Sequence, residues 1–270
     1  MEKGKCNILI LNFIILYKDF IDMKALITGA SSGIGRDMAI ELSKKGYDLI
    51  LVARDLDKLN EVKQELQTNV KVVCMDISEI ENCKKLHEEH KEIDILINNA
   101  GFGDCGYFTQ TQLEKEIAMI NTNIVAYHIL TKLYLQDMKE KNSGTIMNVA
   151  SIAGFMPGPL MATYYATKNY VVKLSEAIRE ELKKQNSKVQ ISILCPGPVN
   201  TNFNKVADVQ FALKGLSSEY VAKYAIEKMF KGKFYIVPGW KIKLAKIGCK
   251  IAPTSLVSKI SYNMQRRKIQ

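Results

Sequence analysis

The chain has no C-x-x-C pair, only three histidines, one tryptophan and no acidic residue from Lys231 to Gln270. Its cysteines (Cys6, Cys74, Cys83, Cys105, Cys195 and Cys249) are scattered singly, which excludes a thiolate zinc site or a disulfide framework and points to a reducing, cytoplasmic setting. His87 and His90 stand three apart in LHEEHKE, read as the solvated face of a charged helix, and no metal site is expected. No apolar run reaches membrane-spanning length. The longest, from Ile8 to Tyr17, lies in a leader, residues 1–22, that offers no small-residue cleavage site and so argues against secretion. Two readings of the leader stand: translation begins at Met23, or the segment is disordered or touches a membrane.

The missing acids divide the chain electrically. Ten Lys or Arg without one Asp or Glu give residues 231–270 a charge of +10, while the 28 basic and 28 acidic residues before them cancel. The body is neutral and lacks a basic, aromatic-rich groove, so nucleic acid is not an expected partner. The segment 241–270 reads as a basic amphipathic extension, with Leu256, Val257, Ile260 and Met264 at helical spacing. It is either a packing lid with solvated lysines, or a contact for an anionic membrane surface or an acidic carrier.

From Met23 onward short β-branched runs alternate with longer helical stretches. The strand runs are KALIT (24–28), DLILVA (48–53), VKVVCM (70–75), IDILIN (93–98), GTIMNVAS (144–151), VQISILC (189–195) and KFYIVP (233–238). Helices are expected between them, notably near 111–140, 162–184 and 218–230. This alternation predicts an α/β fold: one doubly wound, mostly parallel sheet of seven strands with helices on both faces, spanning 23–240.

The chemistry lies at strand ends. The first βα junction reads TGASSGIG (28–35), whose glycines let backbone amides and a helix amino end approach a pyrophosphate. The second strand ends in Ala53-Arg54, without the acid that would bind a ribose 2′-hydroxyl. An arginine there suits the 2′-phosphate of NADP(H), with NAD(H) the less favoured cofactor. In ATYYATKNY (162–170), Tyr164 stands four before Lys168, on one helix face. A lysine ammonium beside a phenol stabilises the phenolate. The same spacing recurs at Tyr224 and Lys228, so spacing alone does not decide.

These residues together resemble the short-chain dehydrogenase/reductase family in its compact form. The resemblance covers 23–240 and rests on TGASSGIG, Asp76, NNAG (98–101), Asn123, Ser151, Tyr164-x-x-x-Lys168 and PGPVNT (196–201). It implies a Rossmann-type fold and interconversion of a ketone or aldehyde with an alcohol. Tyr164 would be the general acid, Ser151 would hold the carbonyl oxygen, Lys168 would hold the nicotinamide ribose and lower the tyrosine pKa, and Asn123 would hold a water. Gly29, Ala30, Ser31, Ser32, Gly33, Ile34 and Gly35 would form the phosphate loop, with Arg54 and Asp76 at the adenosine end. Asn98, Ala100 and Gly101 would line the adenosine side; Pro196, Gly197, Val199 and Thr201 would shape the nicotinamide end. The resemblance further implies a homodimer or homotetramer through the helices near 111–140 and 162–184. The Met-rich GFMPGPLM (154–161) suggests an apolar pocket wall and a lipophilic substrate. A catalytically idle nucleotide sensor or scaffold is the competing reading.

Overall fold

The computed structural model describes residues 23–201 and 215–266. The leader expected over 1–22, the mixed stretch after Thr201 and the last four residues of the basic extension lie outside the described residues.

Seven strands form one sheet: β1 (Lys24–Thr28), β2 (Asp48–Ala53), β3 (Val70–Cys74), β4 (Ile95–Asn98), β5 (Thr145–Val149), β6 (Gln190–Leu194) and β9 (Tyr235–Ile236). Their order is β3-β2-β1-β4-β5-β6-β9 and every pairing is parallel. A second, two-stranded ribbon joins β7 (Val199–Asn200) to β8 (Leu216–Ser217). The chain winds outward from β1 through β2 to β3, then returns to β4 on the other side of β1. Where the winding reverses, the loops leaving β1 and β4 part and open a crevice at the strands' carboxyl ends.

The strands are nearly continuous apolar runs because helices cover both faces. Successive side chains of β1 enter opposite cores: Leu26 joins Leu96, Tyr127, Tyr134 and Val172, whereas Ile27 joins Met38, Leu42, Ile97 and Ile226. The first core lies under α3 (Ile80–Glu89), α5 (Ala126–Lys141) and α6 (Ala162–Lys184). The second lies under α1 (Gly33–Ser43), α2 (Leu56–Gln64) and α7 (Ser218–Phe230). Leu26, Ile27, Leu42 and Leu96 are wholly buried, and each such side chain contributes about 1.5–3 kcal/mol.

Three elements depart from their sequence-based expectation. The helix expected near 111–140 is interrupted: α4 (Leu113–Ile120) passes through a π turn (Asn121–Val125) before α5 begins. The wide turn carries Asn123. The seventh strand shrinks to Tyr235–Ile236, because as an edge it meets only Ile193 and Leu194 of β6. His87 and His90 are buried rather than solvated. The His87 Nε2 sits 2.7 Å from Asp137 of α5, and its ring lies edge-on to Tyr134. Beyond β9 the chain turns into two further helices, α8 (Trp240–Ile251) and α9 (Thr254–Arg266), separated at Pro253, which cannot continue the amide ladder.

Candidate active site

The crevice between the β1 and β4 loops is part of a cavity of about 1630 Å³. Sixteen of the twenty residues given a catalytic or cofactor role from sequence line it: Gly29, Ser31, Ser32, Gly33 and Ile34 from the first loop; Arg54 and Asp76 from the ends of β2 and β3; Ala100 and Gly101 after β4; Ser151 after β5; Tyr164 and Lys168 on α6; and Pro196, Gly197, Val199 and Thr201 after β6. Ala30, Gly35, Asn98 and Asn123 do not line it. The twin pair Tyr224 and Lys228 sits on α7 and does not line it either.

The first loop is built by close backbone approach. Gly33 has φ +55°, a region costly for side chains. A Cβ at Gly35 would stand 2.4 Å from both Asn99 Nδ2 and the Gly29 carbonyl. Ser32, at the amino end of α1, makes no side-chain capping hydrogen bond. The first-turn amides of Gly33 and Ile34 therefore border the cavity without a capping side chain, an arrangement suited to a pyrophosphate.

Asn99, part of NNAG but given no role from the sequence, pins this loop. Its side-chain nitrogen donates to the carbonyls of Thr28 and Gly29 at 3.0 and 3.1 Å, and its backbone amide donates to the Thr28 hydroxyl at 3.0 Å. Its neighbour Asn98 is wholly buried and points elsewhere, donating to Thr131 Oγ1 and Asn148 Oδ1 at 3.0 and 2.9 Å. The expectation that Asn98 lines the adenosine side is therefore corrected: it is a buried tie between β4, α5 and β5. Strand alternation was the available signal, since consecutive residues at a strand end face opposite ways.

At the end expected to take the adenosine, Arg54 is largely exposed and its Nη1 stands 3.6 Å from Asp76 Oδ2. Burial pushes the Asp76 carboxyl up, but hydrogen bonds from the Ser78 amide and hydroxyl and the nearby Arg54 outweigh it, so the group lies below its usual range. Asp55, the acid one position on, caps α2 by accepting from the Lys58 amide at 3.1 Å.

At the other end, Ser151 caps a short turn (Ile152–Phe155), accepting from the Ala153 amide at 3.2 Å. Its side chain also hydrogen-bonds Tyr164. Lys168 is buried and donates from Nζ to the Val149 carbonyl at 2.9 Å. The same nitrogen stands 6.0 Å from the centre of the Tyr164 ring. Burial raises the Tyr164 pKa above its ordinary value, with the Ser151 hydrogen bond pulling the other way. Burial likewise draws the Lys168 amine down to about 8. The expected lowering of the tyrosine by the lysine is not seen in this state: the groups that shift Tyr164 are its burial, Ser151 and Tyr165, and desolvation penalises both charged forms.

Asn123 is wholly buried beneath the site. Its side chain accepts from the Phe102 amide at 3.1 Å and donates to the Phe102 carbonyl and Thr167 Oγ1 at 2.9 and 3.1 Å. It clamps the loop that follows β4 against α6. Tyr165 turns away from Lys168 and lines the cavity from another side, its hydroxyl hydrogen-bonded to Gln265 of α9. Met156 and Met161, expected as an apolar wall, line the cavity together with Ile242, Cys249, Val257 and Ile260 from the two last helices.

Residues 23–210 match the family model described as short chain dehydrogenase. An uncharacterised oxidoreductase of Staphylococcus epidermidis is 35% identical over 188 residues, covering 68% of this chain and 81% of its own. The very-long-chain 3-oxoacyl-CoA reductase-A of Danio rerio is 31% identical over 257 residues, covering 90% of this chain and 78% of its own. Among solved structures, a short-chain dehydrogenase from Sphingobium yanoikuyae in complex with NADPH superposes with a TM-score of 0.77 at 27% identity, over 87% of this chain and 94% of the other. A short-chain dehydrogenase/reductase from Burkholderia phymatum in complex with NAD gives 0.77 at 25% identity, over 84% and 92%. The chain belongs to the short-chain dehydrogenase/reductase family and is an oxidoreductase acting on CH–OH groups.

Proposed function

We propose that the protein interconverts a lipophilic ketone or aldehyde and the corresponding alcohol with NADP(H). One observation carries this reading: a single cavity joins an uncapped helix amino end and an exposed arginine at one extreme to a hydrogen-bonded Ser151–Tyr164 pair beside Lys168 at the other.

The residues present fit a nicotinamide dinucleotide. The amides of Gly33 and Ile34 would hold the pyrophosphate, Arg54 the 2′-phosphate, Asp76 the adenine edge and Lys168 the nicotinamide ribose. When bound there, the nicotinamide supplies or accepts the hydride. In the reducing direction Tyr164 gives its phenolic proton to the substrate oxygen, a role for which a phenol kept neutral by burial is suited. Ser151 donates a hydrogen bond to that oxygen as charge develops on it. Asn123 keeps the Gly101–Phe102 backbone and α6 in register, so that Lys168 and Tyr164 stay on the cavity wall.

The wall formed by Met156, Met161, Ile242 and Val257 favours an apolar substrate body. The named activity of the Danio rerio relative is consistent with an acyl chain there. Gln265 adds a polar note: it is buried, lines the cavity, and its amide oxygen has no hydrogen-bond partner among the described residues. A donor group on the substrate would satisfy it. Self-association through α4, α5 and α6 belongs to the same reading, and sedimentation velocity tests it.

The test is NADPH oxidation against a panel of ketones, aldehydes and enones, run in parallel with NADH. Tyr164→Phe is expected to lower kcat on ketones by about 10²–10⁴-fold. Cofactor binding without turnover of any carbonyl would support the idle-sensor reading instead.

A further inference from the structure

The helix α8 presents apolar side chains to solvent as well as to the cavity. Ile242 and Cys249 line the cavity, and Ile242 packs against Gly197 closely enough that a Cβ there would stand 2.4 Å from it. Trp240, Leu244, Ile247 and Ile251 are 67%, 59%, 54% and 79% exposed. Their spacing of four, three and four residues places them within about 60° of arc on the helix surface. That is a continuous stripe, not scattered exposure. Lys241 flanks it on one side and Lys243 and Lys250 on the other; their ammonium groups rest 5.7, 5.9 and 5.8 Å from the ring centres of Trp240, Tyr224 and Tyr235, and their long stems let them swing out to an anionic surface. On α9, Leu256 and Ile260 are also half-exposed, at 49% and 51%.

We propose that the outer face of α8 docks on an anionic lipid surface, with its apolar stripe in the interface and its lysines among the headgroups. Two occupants could cover such a stripe, a bilayer or a second copy of the chain, and charge decides between them. Residues 231–270 carry ten positive charges and no negative one. Two copies pairing through this face would bring like charges together, whereas an anionic surface neutralises them. No helix among the described residues is long and apolar enough to cross a membrane. The mode is therefore peripheral, an interfacial helix with one face in the headgroup boundary. Because the opposite face of α8 lines the cavity, docking would set a lipophilic site beside the lipid.

The chain carries its own probe, since its single tryptophan is Trp240. Full-length protein is titrated with vesicles of phosphatidylcholine alone and of phosphatidylcholine with phosphatidylglycerol. The expected result is a saturable blue shift of Trp240 emission and co-sedimentation with the anionic vesicles, both weakened by salt and absent with phosphatidylcholine alone. Leu244→Ser with Ile247→Ser is expected to abolish both, while thermal unfolding and the far-ultraviolet spectrum match wild type. Lys243→Ala is expected to lower partitioning about fivefold, the factor for one lysine near an anionic surface. An unshifted Trp240 with anionic vesicles, or binding unaffected by the Leu244/Ile247 variant, overturns the proposal. A blue shift that instead grows with protein concentration in the absence of lipid, alongside dimerisation, also overturns it and assigns the stripe to a second copy.

Discussion

Arg54→Ala is the sharpest test of cofactor choice. The side chain of Arg54 is 72% exposed and its one ion pair among the described residues, to Asp76, is long at 3.6 Å. A hydrogen bond to a charged group contributes about 1.5–3 kcal/mol, and the exposure of this guanidinium selects the lower part of that range. At about 1.4 kcal/mol per factor of ten, the loss in kcat/KM for NADPH should be about 10–30-fold. NADH lacks the 2′-phosphate, so its kcat/KM should stay within about twofold of wild type, because the Arg54–Asp76 pair is too exposed to matter for folding. The assay is initial-rate measurement with both cofactors at subsaturating concentrations and one saturating ketone. Equal losses with both cofactors would show that Arg54 supports the site generally. Loss with neither would show that the 2′-phosphate, if bound, is read elsewhere; either result would refute the reasoning.

Further outcomes follow from burial and close packing. Lys168 has a folded pKa drawn down to about 8, so between that pH and the unfolded value of about 10.4 this amine holds more proton in the unfolded chain and adds a stability contribution that rises with pH, against the opposite contribution of the buried Cys83 and Cys195 thiols, pushed up to about 12. Lys168→Met should make the slope of stability against pH less positive than in wild type, measured by urea unfolding from about pH 8 to 9.5, below the ionisation of free tyrosine; an unchanged slope would mean the amine is not desolvated. Gly35→Ala should destabilise by about 1–3 kcal/mol, since its Cβ would meet the Gly29 carbonyl oxygen at 2.4 Å and backbone yields little. Gly248→Ala, with nothing within 4 Å of its Cβ, should instead be neutral or stabilise by up to about 1 kcal/mol, and denaturation midpoints of the two variants separate the cases.

Much of the site was legible in the sequence because its parts are local. A glycine loop between a strand and a helix, or a Tyr-x-x-x-Lys on one helix face, states its geometry within a few residues. The alternation of apolar runs with helical stretches likewise sufficed for the parallel sheet, since buried parallel strands are apolar on both sides. Its helical face and its distance from Ser151 favour Tyr164 over Tyr165, and the face is as expected: Lys168 Nζ stands 6.0 Å from the centre of the Tyr164 ring, while Tyr165 is hydrogen-bonded to Gln265.

What only the tertiary structure decided depends on groups far apart in the chain. Asn98 and Asn99 look alike in NNAG, but one meets Asn148 inside the core and the other meets Gly29, so their roles divide where the sheet ends. His87 is buried because Asp137, fifty positions on, supplies a partner that no helical pattern could announce. Tyr165 and Gln265 are a hundred residues apart and share a hydrogen bond across the cavity. The basic extension proved to be cavity wall on one side and exposed apolar stripe on the other. Periodicity can say that a helix has an apolar face; which of its faces the rest of the chain covers is settled only when the distant surfaces meet.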